Sequence, residues 1–106
     1  MQSMAPPKDT RQPKRRLDVD RAVTVMRALS NPHRLKILSY LRDSELSVGE
    51  LEHAVGIRQP SMSQQLARLR EDGLVATRRE GKQIFYSLSD TRAKHLIRAL
   101  GAIFKR

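Results

Sequence analysis

At 106 residues with 39% apolar composition, the chain has room for one domain with a modest core, small enough that a partner is expected to share it. Its 21 lysines and arginines against 11 aspartates and glutamates give a formal charge of +10, a balance suited to polyanions such as nucleic acid or an acidic membrane surface. The absence of cysteine excludes disulfides, thiolate metal sites and thiol redox chemistry. With no apolar run near the roughly 18 residues of a membrane span, and no signal-peptide hydrophobic region after the basic N-terminus, a cytoplasmic protein is expected.

Residues 1–16 hold Pro6, Pro7 and Pro13 among Lys8, Arg11, Lys14, Arg15 and Arg16 and have almost nothing to bury. They read as a disordered basic arm, either a solubilising tail or a source of phosphate or minor-groove contacts, preceding a single folded unit over 17–106. From Asp18 to about Ala28 the pattern is helical, with Ala22, Val23, Met26 and Leu29 on one face. Ser30-Asn31-Pro32 then stops that helix and caps the next, since Ser30 or Asn31 can accept amide hydrogens while Pro32 sits where no donor is needed. The second helix carries Leu35, Ile37, Leu38 and Leu41 and is apolar enough to be central.

Asp43 to Leu46 read as a loop. Ser47-Val48-Gly49-Glu50 has capping-box spacing for a third helix with Val48, Leu51 and Val55 inward, closed by Gly56 as a left-handed cap. Ile57 to Gln59 make a tight turn into a fourth helix, where Pro60 suits the first turn, Met62, Leu66 and Leu69 share one face, and Gly73 ends it. The other face presents Gln59, Ser61, Ser63, Gln64, Gln65 and Arg68: neutral donors and acceptors plus one cation, the chemistry that reads base edges in a major groove. Such a face could equally be solvated. Following a capped helix and a short turn, it reads as the second helix of a helix-turn-helix.

After Gly73 the period changes to strand alternation through Val75, Thr77 and Arg79, and again in Gln83 to Leu88, with Glu80-Gly81-Lys82 as the turn. Arg78, Arg79, Lys82 and Gln83 on this hairpin are expected to grip phosphate as a wing. Ser89-Asp90-Thr91 caps a last helix to about Lys105, whose Leu96, Ile97, Leu100, Ile103 and Phe104 form a stripe wider than a terminal helix needs. Val23 and Met26 of the first helix with Leu96, Leu100, Ile103 and Phe104 of the last are therefore the expected seam of a homodimer. Such a dimer would read a palindromic site on double-stranded DNA. The fold class is mainly α with a β-hairpin wing.

Five segments in this order resemble the ArsR/SmtB-type bacterial winged-helix repressors: Ser30 to Leu38, Ser47 to Leu51, Gln59 to Leu66, Gly73 to Val75 and Gly81 to Leu88. The resemblance covers roughly residues 18–105. It implies a homodimer of α-α-α-α-β-β-α topology, a winged helix-turn-helix, that occludes an operator and releases it on a signal. Metal-sensing relatives carry Cys-Val-Cys where this chain has Ser47-Val48-Gly49, and a His where Arg92 follows Asp90. His33, His53 and His95 show no cluster spacing, so no metal and no other cofactor is expected. The closest wording is that of the thiol and persulfide sensors, yet Ser39 and the Ile103 to Arg106 segment stand where their cysteines belong, and serine cannot do that chemistry. Three readings follow: another signal, repression without an inducer, or a serine that replaced a sensing cysteine, the last weakened because no cysteine stands near position 105.

An enzyme is not expected, because no nucleophile, phosphate loop or ligand set is present. The rival is a winged helix that binds RNA or a protein. Against it, the aromatic residues Tyr40, Phe85, Tyr86 and Phe104 sit at positions better explained as strand and core than as a base-stacking platform.

Overall fold

The computed structural model describes residues 16–106; the basic arm read over 1–16 falls almost wholly outside them. The elements run α1 (Val19–Leu29), α2 (Pro32–Tyr40), β1 (Leu46–Ser47), α3 (Val48–Val55), α4 (Ser61–Glu71), β2 (Val75–Glu80), β3 (Gln83–Leu88) and α5 (Thr91–Ile103). This is the expected winged helix-turn-helix order with one addition. Leu46, read as loop, belongs with Ser47 to a two-residue strand that pairs antiparallel with β3, Leu46 opposite Tyr86 and Ser47 opposite Phe85. The sheet order is β1-β3-β2. A strand of two residues has no period to read, and only its distant partner defines it.

The helix boundaries follow from their caps. Asp18 accepts the Arg21 amide at 3.1 Å, and Asn31, rather than Ser30, accepts those of His33 and Arg34 at 2.9 and 3.1 Å, with Pro32 in the first turn of α2. The capping box closes in both directions: the Glu50 amide donates to the Ser47 hydroxyl at 3.1 Å and the Ser47 amide to the Glu50 carboxylate at 2.8 Å. Ser47 is itself buried, so Ser47→Ala is expected to cost about 1 kcal/mol in a urea titration; an unchanged midpoint would mean that the box contributes nothing. At the far end of α3, Gly56 adopts φ +86°, which an L side chain would resist.

One core holds the elements together. Ile37 and Leu38 of α2 with its C-cap Leu41, Leu51 and Val55 of α3, and Met62, Leu66 and Leu69 of α4 are all buried, as their spacing predicts. Leu74, Val75, Tyr86, Ala93 and Ile97 complete it. The apolar residues of α1 divide between the core and an exposed side. Ala28 is buried and Val25 and Leu29 pack on the core, whereas Met26 is 57% exposed. Apolar residues lie on both flanks of this helix, so periodicity alone does not choose between them.

Candidate nucleic-acid interface

Helix α4 is fixed at both ends by groups outside it. Pro60 occupies its N-cap position and offers no side-chain acceptor. Gln59 supplies one: its Oε1 accepts the Ser63 amide at 3.1 Å and the Ser63 hydroxyl. At the C-terminus Gly73 takes φ +73°, its amide donates to the Arg70 carbonyl at 3.0 Å and the Leu74 amide to the Leu69 carbonyl at 3.0 Å. This paired closure satisfies carbonyls that the helix leaves open. Arg21 of α1 adds to it, donating to the Asp72 carbonyl at 2.8 Å and to the Asp90 carboxylate at 2.9 Å. Asp90 in turn caps α5 by accepting the Arg92 amide at 2.8 Å. The guanidinium groups of Arg92 and Arg21 hold its carboxyl well below the usual carboxylate range, so the link stays ionised at any neutral pH.

Met62, Leu66 and Leu69 turn inward, which leaves Ser63, Gln64 and Arg68 exposed and Ser61 and Gln65 half-buried. Their hydrogen bonding sorts them. Gln64 has no side-chain partner among the described residues. The Gln65 Oε1 accepts from Arg34 Nη1 at 3.2 Å, and that guanidinium is anchored by Nε to the Ala28 carbonyl at 3.2 Å and by Nη2 to the Arg27 carbonyl at 3.3 Å. Arg68 lies one turn from Asp72, Nε to Oδ2 at 3.4 Å, a long contact on the exposed face.

The wing is the β2–β3 hairpin, with Glu80 opposite Gln83 and Gly81-Lys82 as its tip. Its cations are not equivalent. Arg78 is held by Glu45, with contacts of 2.8 to 3.1 Å, and by Glu80 at 2.8 Å, and its guanidinium lies 4.8 Å from the centre of the Phe85 ring. Hydrogen bonds from Arg78 hold the Glu45 carboxyl below its ordinary range, and the same contacts raise Arg78. Arg79, Lys82 and Gln83 are exposed, and among the described residues neither Arg79 nor Lys82 has a carboxylate within salt-bridge distance. Strand alternation places Arg79 on the opposite face of β2 from Arg78 and Glu80. Arg21, Arg34 and Glu45 escaped the sequence reading because their partners lie 31 to 69 residues away, beyond any local spacing.

Helices α1, α2 and α5 frame an apolar groove of about 640 Å³ lined in part by Met26, Leu35, Leu96, Leu100 and Phe104. Ser39 also lines it, its hydroxyl donating to the Lys36 carbonyl at 2.7 Å. Met26, Ile103 and Phe104 are 57, 69 and 73% exposed; Val23, Leu96 and Leu100 are half-buried. Among the described residues no three His, Cys, Asp or Glu side chains come together as a metal site, and no helix is long and apolar enough to cross a membrane.

A polar-faced helix seated behind a capped helix and flanked by a basic hairpin defines a winged helix-turn-helix, DNA-binding regulator. Residues 31–77 match the model of the bacterial regulatory protein, arsR family. The chain is 46% identical over 100 residues to a biofilm growth-associated repressor of Xylella fastidiosa, covering 91% of this chain and 88% of the relative. A crystal structure of the repressor BigR from Xylella fastidiosa superposes with a TM-score of 0.81 at 43% identity, over 94% of this chain and 99% of that one. The transcriptional activator HlyU of Vibrio cholerae is 46% identical over 84 residues, 79% of this chain and 78% of its own. A homodimeric winged helix-turn-helix domain from Mycobacterium bovis gives a TM-score of 0.72 at 29% identity, covering 94% of this chain and 89% of that one. The chain therefore belongs to the arsR family. It is a DNA-binding regulator of transcription.

Proposed function

We propose that the protein is a cytoplasmic repressor, without enzymatic activity, that binds a palindromic duplex operator as a homodimer. In this reading α4 enters the major groove while Arg79 and Lys82 hold adjacent phosphates. The observation that carries it is the face of α4 itself: the side chains left outward by the buried Met62, Leu66 and Leu69 are neutral hydrogen-bonding groups and Arg68, with no acid in the first turn to repel DNA. Gln64, whose side-chain amide has no partner among the described residues, suits bidentate pairing with adenine. The aromatic residues do not favour RNA: Tyr86 is buried and Phe85 lies under Arg78, while Tyr40 and Phe104, exposed rather than in the core as expected, stand at the ends of α2 and α5 and not on α4 or the wing.

Support for the dimer lies in the exposed Met26, Ile103 and Phe104, of which Met26 and Phe104 line the same apolar groove between α1 and α5. The Mycobacterium bovis relative, described as homodimeric, points the same way. Repression follows the Xylella relatives. The test pairs light scattering with a gel-shift competition of duplex DNA against single-stranded RNA. The expected results are twice the chain mass, dissociation of the dimer by Phe104→Glu, and displacement by duplex alone. A monomer that binds a palindrome at full affinity would sink the dimer, and preferential displacement by RNA would sink the DNA reading.

A further inference from the structure

Gln65 lies on the α2-facing flank of the reading helix, half-buried, and its carboxamide is not free to choose its orientation. Arginine has five donors and no acceptor, so the atom of Gln65 that meets Arg34 must be the carbonyl oxygen. The amide nitrogen is then turned away from Arg34. This assignment rests on chemistry, because the opposite flip would set two donors against each other. Arg34 cannot easily swing aside to release the oxygen, since its Nε and Nη2 donate to the Ala28 and Arg27 carbonyls at the end of α1.

We propose, building on the DNA-reading function above, that Gln65 is a donor-only specificity residue, held by Arg34, that selects guanine and rejects adenine. Adenine pairing needs the glutamine oxygen to accept from the base amino group while the nitrogen donates to N7. The oxygen of Gln65 retains a second lone pair, but a guanidinium nitrogen stands 3.2 Å from it, and that positive charge disfavours the approach of a base amino group. Guanine presents two acceptors side by side, O6 and N7, and no donor at that edge of the groove. The two hydrogens of the Gln65 amide nitrogen match that edge, and the adjacent cation strengthens the match. The neighbouring Gln64 has no such partner among the described residues, so two consecutive glutamines read differently. Arg34 is the positioning residue in this scheme and touches no base.

The experiment is selection of randomised duplexes by the full chain and its variants, scored base pair by base pair. The pair whose preference vanishes in Gln65→Ala is expected to carry guanine in the parent selection, favoured over adenine by roughly five- to a hundredfold, the range of a good base contact. Arg34→Leu is expected to admit adenine at that pair alone, and Arg34→Lys to restore the guanine preference in part. Placing 7-deazaguanine at that pair should weaken binding by the parent chain and leave Gln65→Ala unaffected, a readout that decides the matter even if Arg34→Leu fails to fold. Adenine at the Gln65-dependent pair, a Gln65→Ala selection identical to the parent's, or indifference of the parent to 7-deazaguanine would each overturn the proposal. Failure of the parent chain to enrich any duplex is a separate result, and overturns the DNA-reading function itself.

Discussion

The Leu69→Ala protein is expected to melt at least roughly 10 °C below its parent, as a buried leucine truncation costs about 2–5 kcal/mol and each kcal/mol moves a domain of this size by about 4–8 °C. Leu69 is completely buried, and so is Leu74, whose amide closes the helix onto the Leu69 carbonyl. Removing the side chain therefore opens a cavity where α4, the wing and the rest of the core meet. Because Leu69 points away from the proposed DNA face, the base preferences of the folded protein should not change. Circular dichroism melts at one fixed protein concentration measure the loss, the concentration being held because the stability of the proposed dimer would depend on it. A fall of less than about 3 °C would contradict the packing described for α4.

Substituting Arg79 and Lys82 together by alanine is expected to flatten the dependence of log affinity on log salt by about 2 per protomer, since each phosphate contact on duplex DNA contributes about 0.9 to that slope. Discrimination between operator and random duplex should survive, because phosphate contacts carry no sequence information. Arg78→Ala is the contrasting variant. Its guanidinium is already committed to Glu45 and Glu80, so it has no counterion-releasing contact to lose, and its slope should change by less than about 1. Equal flattening by Arg78→Ala would show that DNA competes the two carboxylates away. An unchanged slope in the double variant would remove the wing from the interface.

Arg78 illustrates what the sequence could not supply. As one of four polar residues on a hairpin it reads like Arg79 and Lys82, and the difference between them comes from Glu45, a residue before β1 that the antiparallel pairing of β1 with β3 brings alongside. Gln65 reads like Gln64 until Arg34 arrives from α2. Gln59, counted among the reading side chains, turns its oxygen back to cap α4 because Pro60 cannot. In each case the residue type was legible and its commitment was not.

The local features, by contrast, were readable in place. The capping box at Ser47 and Glu50, the left-handed Gly56 and Gly73, the inward row Met62, Leu66 and Leu69, and the hairpin turning at Gly81-Lys82 all depend on residues within a few positions of one another. Helical and strand periods, caps and turns act over that range, so the sequence by itself determined the winged helix-turn-helix order and the polar face of the helix proposed to meet DNA. How α1 divides its apolar residues between the core and the exposed side, and the existence of β1, are settled by elements that pack from elsewhere. Tertiary structure alone decided which polar groups remain available: hydrogen bonds to oxygens 31 to 69 residues away take up Arg21, Arg34 and Arg78, and leave Gln64, Arg79 and Lys82 without such partners among the described residues. A donor's freedom depends on what stands within about 3 Å of it, and that distance is set by the fold.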